Sequence, residues 1–471
     1  MEPRSLKYVA EACAGECQGP GDREVRAVCT DSRRVAPGDL FVALRGERHD
    51  GHDFAGAAAR AGAGAALLAR DCAGLPPDFP VIRVADTRRA LGQLAARYRE
   101  DFEPAMVAVA GSNGKTTTKE LLAAVLRQRW TVLASEASFN NDIGVPLTLL
   151  KLERRHQAAV IEMGTNHPGE LAPLVRLARP RLGLLTMIGR EHLEHFGDLE
   201  GVAEEEGWLA ELLPADGRLI VNGDHAWMQR AISRSRAPVV RTGLGGTNDW
   251  RAANLRPDEQ GVRFTVTGPR RELAGEYRVN LLGRHQVNNA LLALAAAAEL
   301  GLSRAEIARG LADCPALRMR MQVEQMGGIR ILNDAYNANA DSTAAALETL
   351  AGYPCSGRRV AVLGDLAELG RHTEEAHREI GQKAATLGVD WLVAVGRMAA
   401  TTATAAREAG LRQARDFAEL ESAAAALKGE LRPGDAVLLK ASRAARLERL
   451  LEYWAAEKPP PKTAASQGEN L

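Results

Sequence analysis

The chain has 471 residues, with 60 basic and 60 acidic side chains and a formal net charge of zero. The length predicts about three domains, and a hydrophobic content of 46% with 25% charged residues excludes a wholly disordered chain. The charge balance argues against a nucleic-acid or anionic-membrane partner held by bulk charge, so we expect neither. Only nine of the 60 basic residues are lysines. A codon bias towards arginine explains this most simply, but a lysine retained in such a background is a candidate for a specific role.

The chain shows no signal for export or membrane insertion. Its first residues contain no apolar run suited to secretion. The longest apolar stretches, such as Ala290–Ala298, are far shorter than the roughly 18 residues needed to span a bilayer. The six cysteines are too few and too scattered for a disulfide scaffold. We therefore expect a cytoplasmic protein with free thiols, and a monomer.

The order of apolar runs predicts an α/β protein with three domains. In the first hundred residues, short apolar runs at Leu40–Leu44, Ala65–Ala69 and Val81–Val84 predict strands of a small α/β domain, which we place at residues 1–103.

The second domain is expected at residues 104–314. Its predicted strands alternate with helical stretches, which favours a parallel sheet covered on both faces. A period-two pattern near residues 250–282 predicts a small antiparallel patch, and Asn288–Leu300 is expected to be a buried helix. The predicted strands of the parallel sheet are Val107–Ala110, Ala158–Ile161, Gly183–Ile188 and Arg218–Val221.

The third domain is expected at residues 315–457 and to be Rossmann-like, because strands and helices alternate again. Its last helix is predicted at Arg443–Glu457, and residues 458–471 are expected to form a disordered tail. The predicted strands are Ile329–Leu332, Val360–Leu363, Trp391–Val395 and Ala436–Leu439.

A glycine-rich segment between a predicted strand and a predicted helix indicates a phosphate-binding loop (P-loop). The segment is Gly111-Ser112-Asn113-Gly114-Lys115-Thr116-Thr117-Thr118. Glycines allow backbone N–H groups to face an anion, and the helix start adds its positive dipole end. We expect the lysine to neutralise the β- and γ-phosphates and the following threonine to bind Mg²⁺. The loop is a shorter variant of the common form, because its first glycine stands only four residues before the lysine.

Two further polar residues follow predicted strands. Glu162 comes directly after the strand Ala158–Ile161, and His192 follows the next strand after a short loop. Ligands of open α/β sheets collect at the carboxyl ends of strands, so both side chains are candidates for binding a metal or orienting a water. Taken alone, a solvated strand-end carboxylate and a capping or core histidine remain open alternatives. A zinc-protease interpretation of His192–His195 is discounted, because the spacing does not match.

At this point the sequence resembles the Mur ligases of peptidoglycan synthesis. The similarity runs in order from Thr30 to about Glu448 and covers all three predicted domains. The resembling segments are 111–120, Ser138-Phe-Asn-Asn-Asp-Ile-Gly-Val-Pro-Leu147, Ile161-Glu-Met-Gly-Thr-Asn-His-Pro-Gly-Glu170, Leu332-Asn-Asp-Ala-Tyr-Asn-Ala-Asn339, Leu363-Gly-Asp-Leu-Ala-Glu-Leu-Gly370 and Lys440-Ala-Ser-Arg443.

The resemblance implies an ATP-dependent ligase that forms an amide. ATP would convert a substrate carboxylate to an acyl phosphate, which an incoming amine then attacks, with Mg²⁺ offsetting the negative charge. A diamino-acid-adding relative would carry Asp-Asn-Pro-Arg, which is absent here. The expected substrates are therefore UDP-N-acetylmuramoyl-tripeptide and D-alanyl-D-alanine.

The resemblance also implies roles for individual residues. Lys115, Glu162 and His192 are the expected catalytic residues, and Asn289, Arg320 and Asp334 are expected to join the P-loop residues in binding ATP. Arg320 and Asp334 would come from the third domain, so that domain closure assembles the site. Substrate contacts are expected from Ser32, Arg33, Asn140, Asn141, Lys440, Ser442 and Arg443.

One departure from the family pattern concerns a lysine that several relatives carbamylate. Here Glu206 stands at the matching position, in Gly201-Val-Ala-Glu-Glu-Glu-Gly207. We hypothesise that this glutamate supplies the negative group directly, so the expected metal ligands are Thr116, Glu162, His192 and Glu206. Its side chain is roughly 3–4 Å shorter than a carbamylated lysine, so either the helix lies closer or a water bridges the gap. A solvated acidic face at Glu204–Glu206 remains the alternative.

Two other functions compete with this interpretation. A folylpolyglutamate-type ligase would share the central fold, but the motifs that begin at Thr30 and the Lys440 segment argue against it. A non-catalytic nucleotide-binding regulator would be favoured by loss of Lys115, Glu162 or His192, and all three are present. The sequence leaves open the third residue of the peptide and the kinetic order.

Overall fold

The strands of the protein form three main sheets, one after another along the chain. The structure is a computed structural model that describes residues 1–455. Each main sheet packs against helices from its own part of the chain, so the predicted three-domain α/β architecture is confirmed. The tail expected at residues 458–471 lies outside the described residues.

The first sheet has five strands in the order β2-β7-β6-β5-β4. Its strands pair in parallel except for β2, which runs antiparallel to β7, and a small β1–β3 pair stands beside it. The strands are β1 Arg4–Ser5, β2 Glu16–Gln18, β3 Glu24–Val25, β4 Val28–Cys29, β5 Leu40–Val42, β6 Ala65–Leu68 and β7 Val81–Arg83, and the helices are α1 Leu6–Ala12, α2 Ala55–Arg60 and α3 Thr87–Arg99.

The second sheet has nine strands in the order β16-β15-β14-β13-β12-β11-β8-β10-β9. Its strands are β8 Ala105–Ala110, β9 Val132–Ala134, β10 Ala158–Glu162, β11 Leu182–Leu185, β12 Arg218–Asn222, β13 Val239–Gly243, β14 Trp250–Asp258, β15 Gly261–Thr267 and β16 Gly275–Val279. The helices are α4 Lys115–Leu126, α5 Gly144–Leu149, α6 Leu171–Ala178, α7 Leu193–Phe196, α8 Leu199–Leu212, α9 Met228–Ala231, α10 His285–Glu299 and α11 Arg304–Ala312.

The strands from β9 to β14 pair in parallel, whereas β14, β15 and β16 pair antiparallel, which confirms the predicted patch. Helix α10 contains most of the helix that was predicted at Asn288–Leu300, and it packs on α4. The sequence predicts both features correctly because long apolar patterns with a clear period determine them.

The third sheet has six strands in the order β17-β18-β22-β19-β20-β21, and only the β17–β18 pair is antiparallel. Its strands are β17 Gln322–Met326, β18 Ile329–Asn333, β19 Arg359–Gly364, β20 Trp391–Val395, β21 Ala414–Phe417 and β22 Ala436–Lys440, and its helices are α12 Ala340–Gly352, α13 Thr373–Thr386, α14 Ala399–Glu408, α15 Leu420–Glu430 and α16 Arg449–Ala455.

Strand β8 determines where the site lies. It sits between β10 and β11, so the strands that follow β8 in sequence lie on opposite sides of it in the sheet. In such a sheet, a crevice opens at the carboxyl ends of the strands where the order reverses. The segments that follow β8, β10 and β11 therefore meet, and they carry the P-loop, Glu162 and the 186–192 segment.

Two predicted boundaries that bear on the site are wrong. The helix predicted at Arg443–Glu457 is interrupted: a 3-10 turn at Arg443–Ala445 ends where Arg446 has a left-handed φ of +47°, and α16 begins at Arg449. The strand predicted at Gly183–Ile188 ends at Leu185, because the residues after it turn to contact the P-loop.

No helix among residues 1–455 is long and apolar enough to cross a membrane. All six cysteines are free, as predicted.

Candidate active site

The P-loop connects β8 to α4 and depends on two glycines. Gly111 has a φ of +113° and Gly114 a φ of +86°, conformations that residues with side chains rarely adopt. A Cβ at Gly111 would lie 2.4 Å from Thr186 Oγ1, and one at Gly114 would lie 2.4 Å from Asn289 Oδ1. The loop can therefore approach its neighbours this closely only with glycine at both positions.

The residues between these glycines attach the loop on two sides. Ser112 Oγ accepts a hydrogen bond from Gly189 N at 2.7 Å, which joins the loop to the segment after β11. Asn113 exchanges two side-chain hydrogen bonds with Asn339 of the third domain, at 3.0 and 3.2 Å. Thr117 is buried in the first turn of α4. The loop is thus held by its own sheet and by the next domain.

The carboxylate of Glu162 joins three parts of the site. Its Oε1 accepts hydrogen bonds from Thr116 Oγ1 and from Asn140 Nδ2, both at 3.0 Å. Its Oε2 is buried and has no hydrogen-bond partner. Glu162 is only 1% exposed, so the alternative of a solvated strand-end carboxylate is wrong.

Lys115 folds back over the P-loop. Its ammonium donates to the carbonyl oxygens of Gly111 at 2.5 Å and Ser112 at 3.2 Å, and lies 3.4 Å from Oε2 of Glu191. Burial opposes the charge, but the nearby carboxylates of Glu191, Glu206 and Glu162 leave the pKa of Lys115 raised above its ordinary value. The lysine therefore stays protonated and available to a phosphate.

Glu191 is a member of this group that the sequence analysis missed. It is buried, and its Oε1 has no hydrogen-bond partner. Its place in the loop after β11, next to His192, was the available signal, but an acidic residue in a loop is more often solvated than buried.

Glu206 reaches the P-loop directly. Its Oε2 accepts a hydrogen bond from Gly111 N at 2.7 Å, while its buried Oε1 has no hydrogen-bond partner. Burial raises the pKa of Glu206 to about 8, an effect that the positive charge of Lys115 opposes. Helix α8 thus lies close enough for Glu206 to contact the P-loop directly, and the reach of this side chain to a metal stays a prediction.

The three consecutive glutamates of α8 have different environments. Glu204 is exposed and pairs with Arg230 at 2.6 Å, whereas Glu205 is buried and accepts hydrogen bonds from Gly169 N and Leu171 N. The alternative of a solvated acidic face is therefore wrong for Glu205 and Glu206 and fits Glu204 alone.

His192 lies between the central and third domains. Its Nδ1 is 2.5 Å from Oε2 of Glu368, and this contact holds the pKa of Glu368 below its usual value. A carboxylate on one ring nitrogen is the usual arrangement behind a histidine that binds a metal with the other. Its role as a metal ligand stays a prediction, with Nε2 as the candidate atom.

Arg320 of the third domain reaches into the P-loop. Its Nη2 donates to Thr116 Oγ1 at 3.0 Å and contacts Ser138 Oγ at 3.4 Å, and its guanidinium lies over the ring of Tyr336. Thr116 therefore contacts both Glu162 and Arg320, which come from different domains.

The other third-domain candidates form a separate group. The Lys440 ammonium lies 2.7 Å from Oδ2 of Asp334 and donates to the Asn337 carbonyl at 2.8 Å. Ser442 is buried, and Arg443 pairs with Glu448 at 2.5 Å. The expected phosphate and dipeptide residues of this domain are thus neighbours, with Asp334 and Lys440 in direct contact.

Three expected residues have side chains that are engaged elsewhere. Asn141 Oδ1 accepts from Ile143 N and Gly144 N at the start of α5. Asn289 donates to Gln286 Oε1 at 2.8 Å behind the P-loop, and Arg33 pairs with Asp31 in the first domain, next to Ser32. Their expected ligand contacts stay predictions.

Arg190 is a second residue that the sequence analysis missed, and it bonds two residues of the third domain. Its Nε donates to Asp341 Oδ1 at 3.0 Å, its backbone N donates to Asp341 Oδ2 at 2.7 Å, and its Nη1 bonds Glu379. Because the partners lie 151 and 189 residues away in sequence, no local pattern indicates this contact. With Asn113 and Arg320, it holds the two domains together over the P-loop.

The site also fits Mg²⁺. Among residues 1–455, no three His, Cys, Asp or Glu side chains form a ready-made metal cage. Mg²⁺, however, commonly takes only one or two carboxylates and completes its shell with water and phosphate oxygens. Three buried carboxylate oxygens without hydrogen-bond partners surround the loop, on Glu162, Glu191 and Glu206, and the Thr116 hydroxyl lies beside them.

The fold and this site define a three-domain P-loop protein whose third domain closes on the nucleotide loop. Family models match the chain in three consecutive parts: "Mur ligase family, catalytic domain" at residues 24–99, "Mur ligase middle domain" at 109–297 and "Mur ligase, glutamate ligase domain" at 318–443. The chain belongs to the Mur ligase family, as the sequence predicted.

Individual relatives cover nearly the whole chain. The UDP-N-acetylmuramoyl-tripeptide–D-alanyl-D-alanine ligase of Escherichia coli is 40% identical over 85% of this chain and 88% of its own length. A crystal structure of MurF from Acinetobacter baumannii superposes with a TM-score of 0.87 at 30% identity, covering 96% of this chain and 99% of its own. The MurF ligase of Thermotoga maritima, solved with ADP, has a TM-score of 0.78 at 27% identity and covers 91% and 97%.

Replacing Arg190 should loosen domain closure without unfolding the protein. We expect Arg190→Ala to raise the KM for ATP by about three- to tenfold, because Arg320 would spend less time at Thr116, whereas a partly exposed ion pair contributes little to stability. Steady-state kinetics and a thermal melt measure the two effects. Arg181→Ala, which removes the exposed Arg181–Asp216 pair, is the matched control. Equal KM values for the two variants would contradict a role of Arg190 in holding the two domains together.

Proposed function

We propose that the chain joins D-alanyl-D-alanine to UDP-N-acetylmuramoyl-tripeptide at the expense of ATP, which makes the UDP-muramoyl-pentapeptide precursor of peptidoglycan. The observation that carries this is a continuous chain of contacts from Arg320 through Thr116 and Glu162 to Asn140. It joins a residue of the third domain, the P-loop and the 135–142 segment. A ligase needs such a link because nucleotide, acid and amine must meet at one point.

The proposed reaction has two balanced steps. First, a carboxylate oxygen of the tripeptide attacks the γ-phosphorus of ATP, so that an acyl phosphate forms and ADP leaves. Next, the amine of D-alanyl-D-alanine attacks the acyl carbon, loses a proton and expels inorganic phosphate. The first step brings anions together, and the second develops negative charge on the departing phosphate. Positive groups at the P-loop stabilise the charge in both steps.

The residues of this chain have distinct tasks in that scheme. Lys115 would move from the loop carbonyls to the β- and γ-phosphates, and the N–H groups of the P-loop would bind the phosphate oxygens. Arg320 would contact the γ-phosphate from the third domain. Glu162, Thr116 and the Nε2 of His192 would hold Mg²⁺, which when bound offsets the charge of the triphosphate and of the attacking carboxylate.

The two ends of the site would bind the two other substrates. We assign the UDP-sugar to the first domain, near Ser32 and Arg33, and the dipeptide to the group around Lys440, Ser442 and Arg443. The match of the first domain to the Mur family at residues 24–99 supports this over a folylpolyglutamate-type ligase. We further propose that the enzyme acts as a cytoplasmic monomer.

Phosphate release tests the proposed reaction. With ATP, Mg²⁺ and UDP-N-acetylmuramoyl-tripeptide, phosphate should appear at a rate that rises at least about tenfold when D-alanyl-D-alanine is added, because only the amine completes the second step. A coupled phosphate assay measures this, with the variant Lys115→Ala as the inactive control. Turnover that ignores the dipeptide would overturn the assignment.

We also propose that Glu206 supplies the negative group that relatives obtain from a carbamylated lysine. Glu206→Gln keeps the size and can still accept from Gly111 N, so it removes only the capacity to carry a negative charge. We expect the Mg²⁺ concentration at half-maximal rate to rise about tenfold, by loss of one anionic ligand. Glu204→Gln, on the exposed face of the same helix, should leave it unchanged.

A second measurement separates this from carbamylation. The rate of the unmodified protein should be the same in CO₂-depleted buffer and after addition of bicarbonate. Activity that falls on CO₂ removal and returns with bicarbonate would show that a modified lysine is needed after all.

A further inference from the structure

Lys119 is a buried charge for which neither the motif nor the proposed reaction gives a use. It is one of only nine lysines in the chain and lies one helical turn after Lys115 on α4. Its side chain is fully buried, which is rare for lysine unless its charge is compensated. The two lysines share a face of the helix but point to different partners.

Lys119 bonds the segment that carries Asn140. Its ammonium donates to the carbonyl oxygens of Ser135 at 2.7 Å and Ala137 at 2.8 Å. It also lies 2.9 Å from Glu120 Oε1 and 3.6 Å from Glu162 Oε2. One nitrogen thus meets two backbone carbonyls and two carboxylates.

The backbone that Lys119 holds is strained. Ala137 has a φ of +45°, in the left-handed region that residues with a Cβ avoid. Such a conformation persists only where its surroundings impose it. Lys119 bonds the carbonyl of this same residue, so it is one of the contacts that surround the strained conformation.

The residues just beyond this strained turn face the reacting groups. Ser138 Oγ contacts Arg320, and Asn140 Nδ2 donates to the same oxygen of Glu162 that Thr116 contacts. A shift of the 135–142 segment would therefore move both of these contacts together.

The choice of lysine over arginine has a geometric reason. An ammonium presents three donors on one atom, whereas a guanidinium spreads its donors over a plane. Two carbonyls and a carboxylate oxygen lie within 2.9 Å of the single Lys119 nitrogen. The chain has a lysine here although 51 of its 60 basic residues are arginines.

We infer that Lys119 is a positioning residue that fixes the 135–142 segment to the P-loop helix and so sets where the substrate carboxylate meets the γ-phosphate. It touches neither reactant and acts through Asn140, Ser138 and Glu162. The identity of the acid substrate in this inference rests on the proposed function.

Kinetics of Lys119→Met test this role. The KM for UDP-N-acetylmuramoyl-tripeptide should rise about tenfold and kcat should fall, while the affinity for ADP changes less than about threefold, because Lys119 bonds no part of the P-loop itself. Lys119→Gln, which keeps a donor but no charge, should give KM and kcat values between those of the unmodified protein and those of Lys119→Met. The matched control is Lys151→Met: Lys151 lies on the surface and pairs with Glu136 of the same segment at 2.6 Å, and its loss should change neither constant.

Hydrogen exchange gives a readout that does not need activity. In Lys119→Met, the hydrogen-bonded backbone amides of Phe139, Ile143 and Gly144 should exchange faster, while those of α4 keep their protection. This result is independent of which acid the enzyme uses, so it still tests the role of Lys119 if the unmodified protein fails to turn over the tripeptide.

Three outcomes would overturn the inference. Unchanged kinetics and exchange would show that Lys119 positions nothing. Equal losses in tripeptide and ADP binding would show a general effect on the site. Failure of both Lys119→Met and Lys119→Gln to fold and bind ADP would show that the lysine holds the domain as a whole rather than this segment.

Discussion

The site depends on one buried carboxylate, that of Glu162. One of its oxygens accepts from Thr116 of the P-loop and from Asn140 of the neighbouring segment, while the other has no hydrogen-bond partner and faces Lys119 at 3.6 Å. A buried ion is costly unless it is paired and hydrogen-bonded. Thr116, Asn140 and Lys119 contact this carboxylate directly, and Arg320 is linked to it through Thr116.

Charge explains why this site would need a cation to bind a nucleotide. The carboxylates of Glu162, Glu191 and Glu206 all act on Lys115, and each leaves one buried oxygen without a hydrogen-bond partner. A triphosphate brought to such a place would meet repulsion from these carboxylates. The same buried carboxylates that repel the nucleotide offer oxygen ligands to Mg²⁺. Because the chain as a whole has a net charge of zero, its composition does not reveal this local cluster of carboxylates.

Local motifs made much of the site predictable. The P-loop could be located because strand, glycines, lysine and helix are contiguous, and Glu162 because it ends the adjacent parallel strand. The contacts of Arg190 and Lys119 could not be predicted: Arg190 binds residues more than 150 positions away, and Lys119 binds backbone carbonyls, which have no signature in the sequence. The break at Arg446 was missed because an apolar helical pattern does not reveal a single left-handed residue.

The central claim is that the Glu162 carboxylate couples Mg²⁺ to nucleotide binding, and calorimetry with a non-hydrolysable ATP analogue tests it most directly. Mg²⁺ should tighten binding to the unmodified protein by at least about tenfold, whereas Glu162→Gln, of equal size and without charge, should lose most of that gain. Binding without Mg²⁺ should be no weaker in the variant, because a repulsive charge has been removed. An equal gain from Mg²⁺ in both proteins would contradict the account.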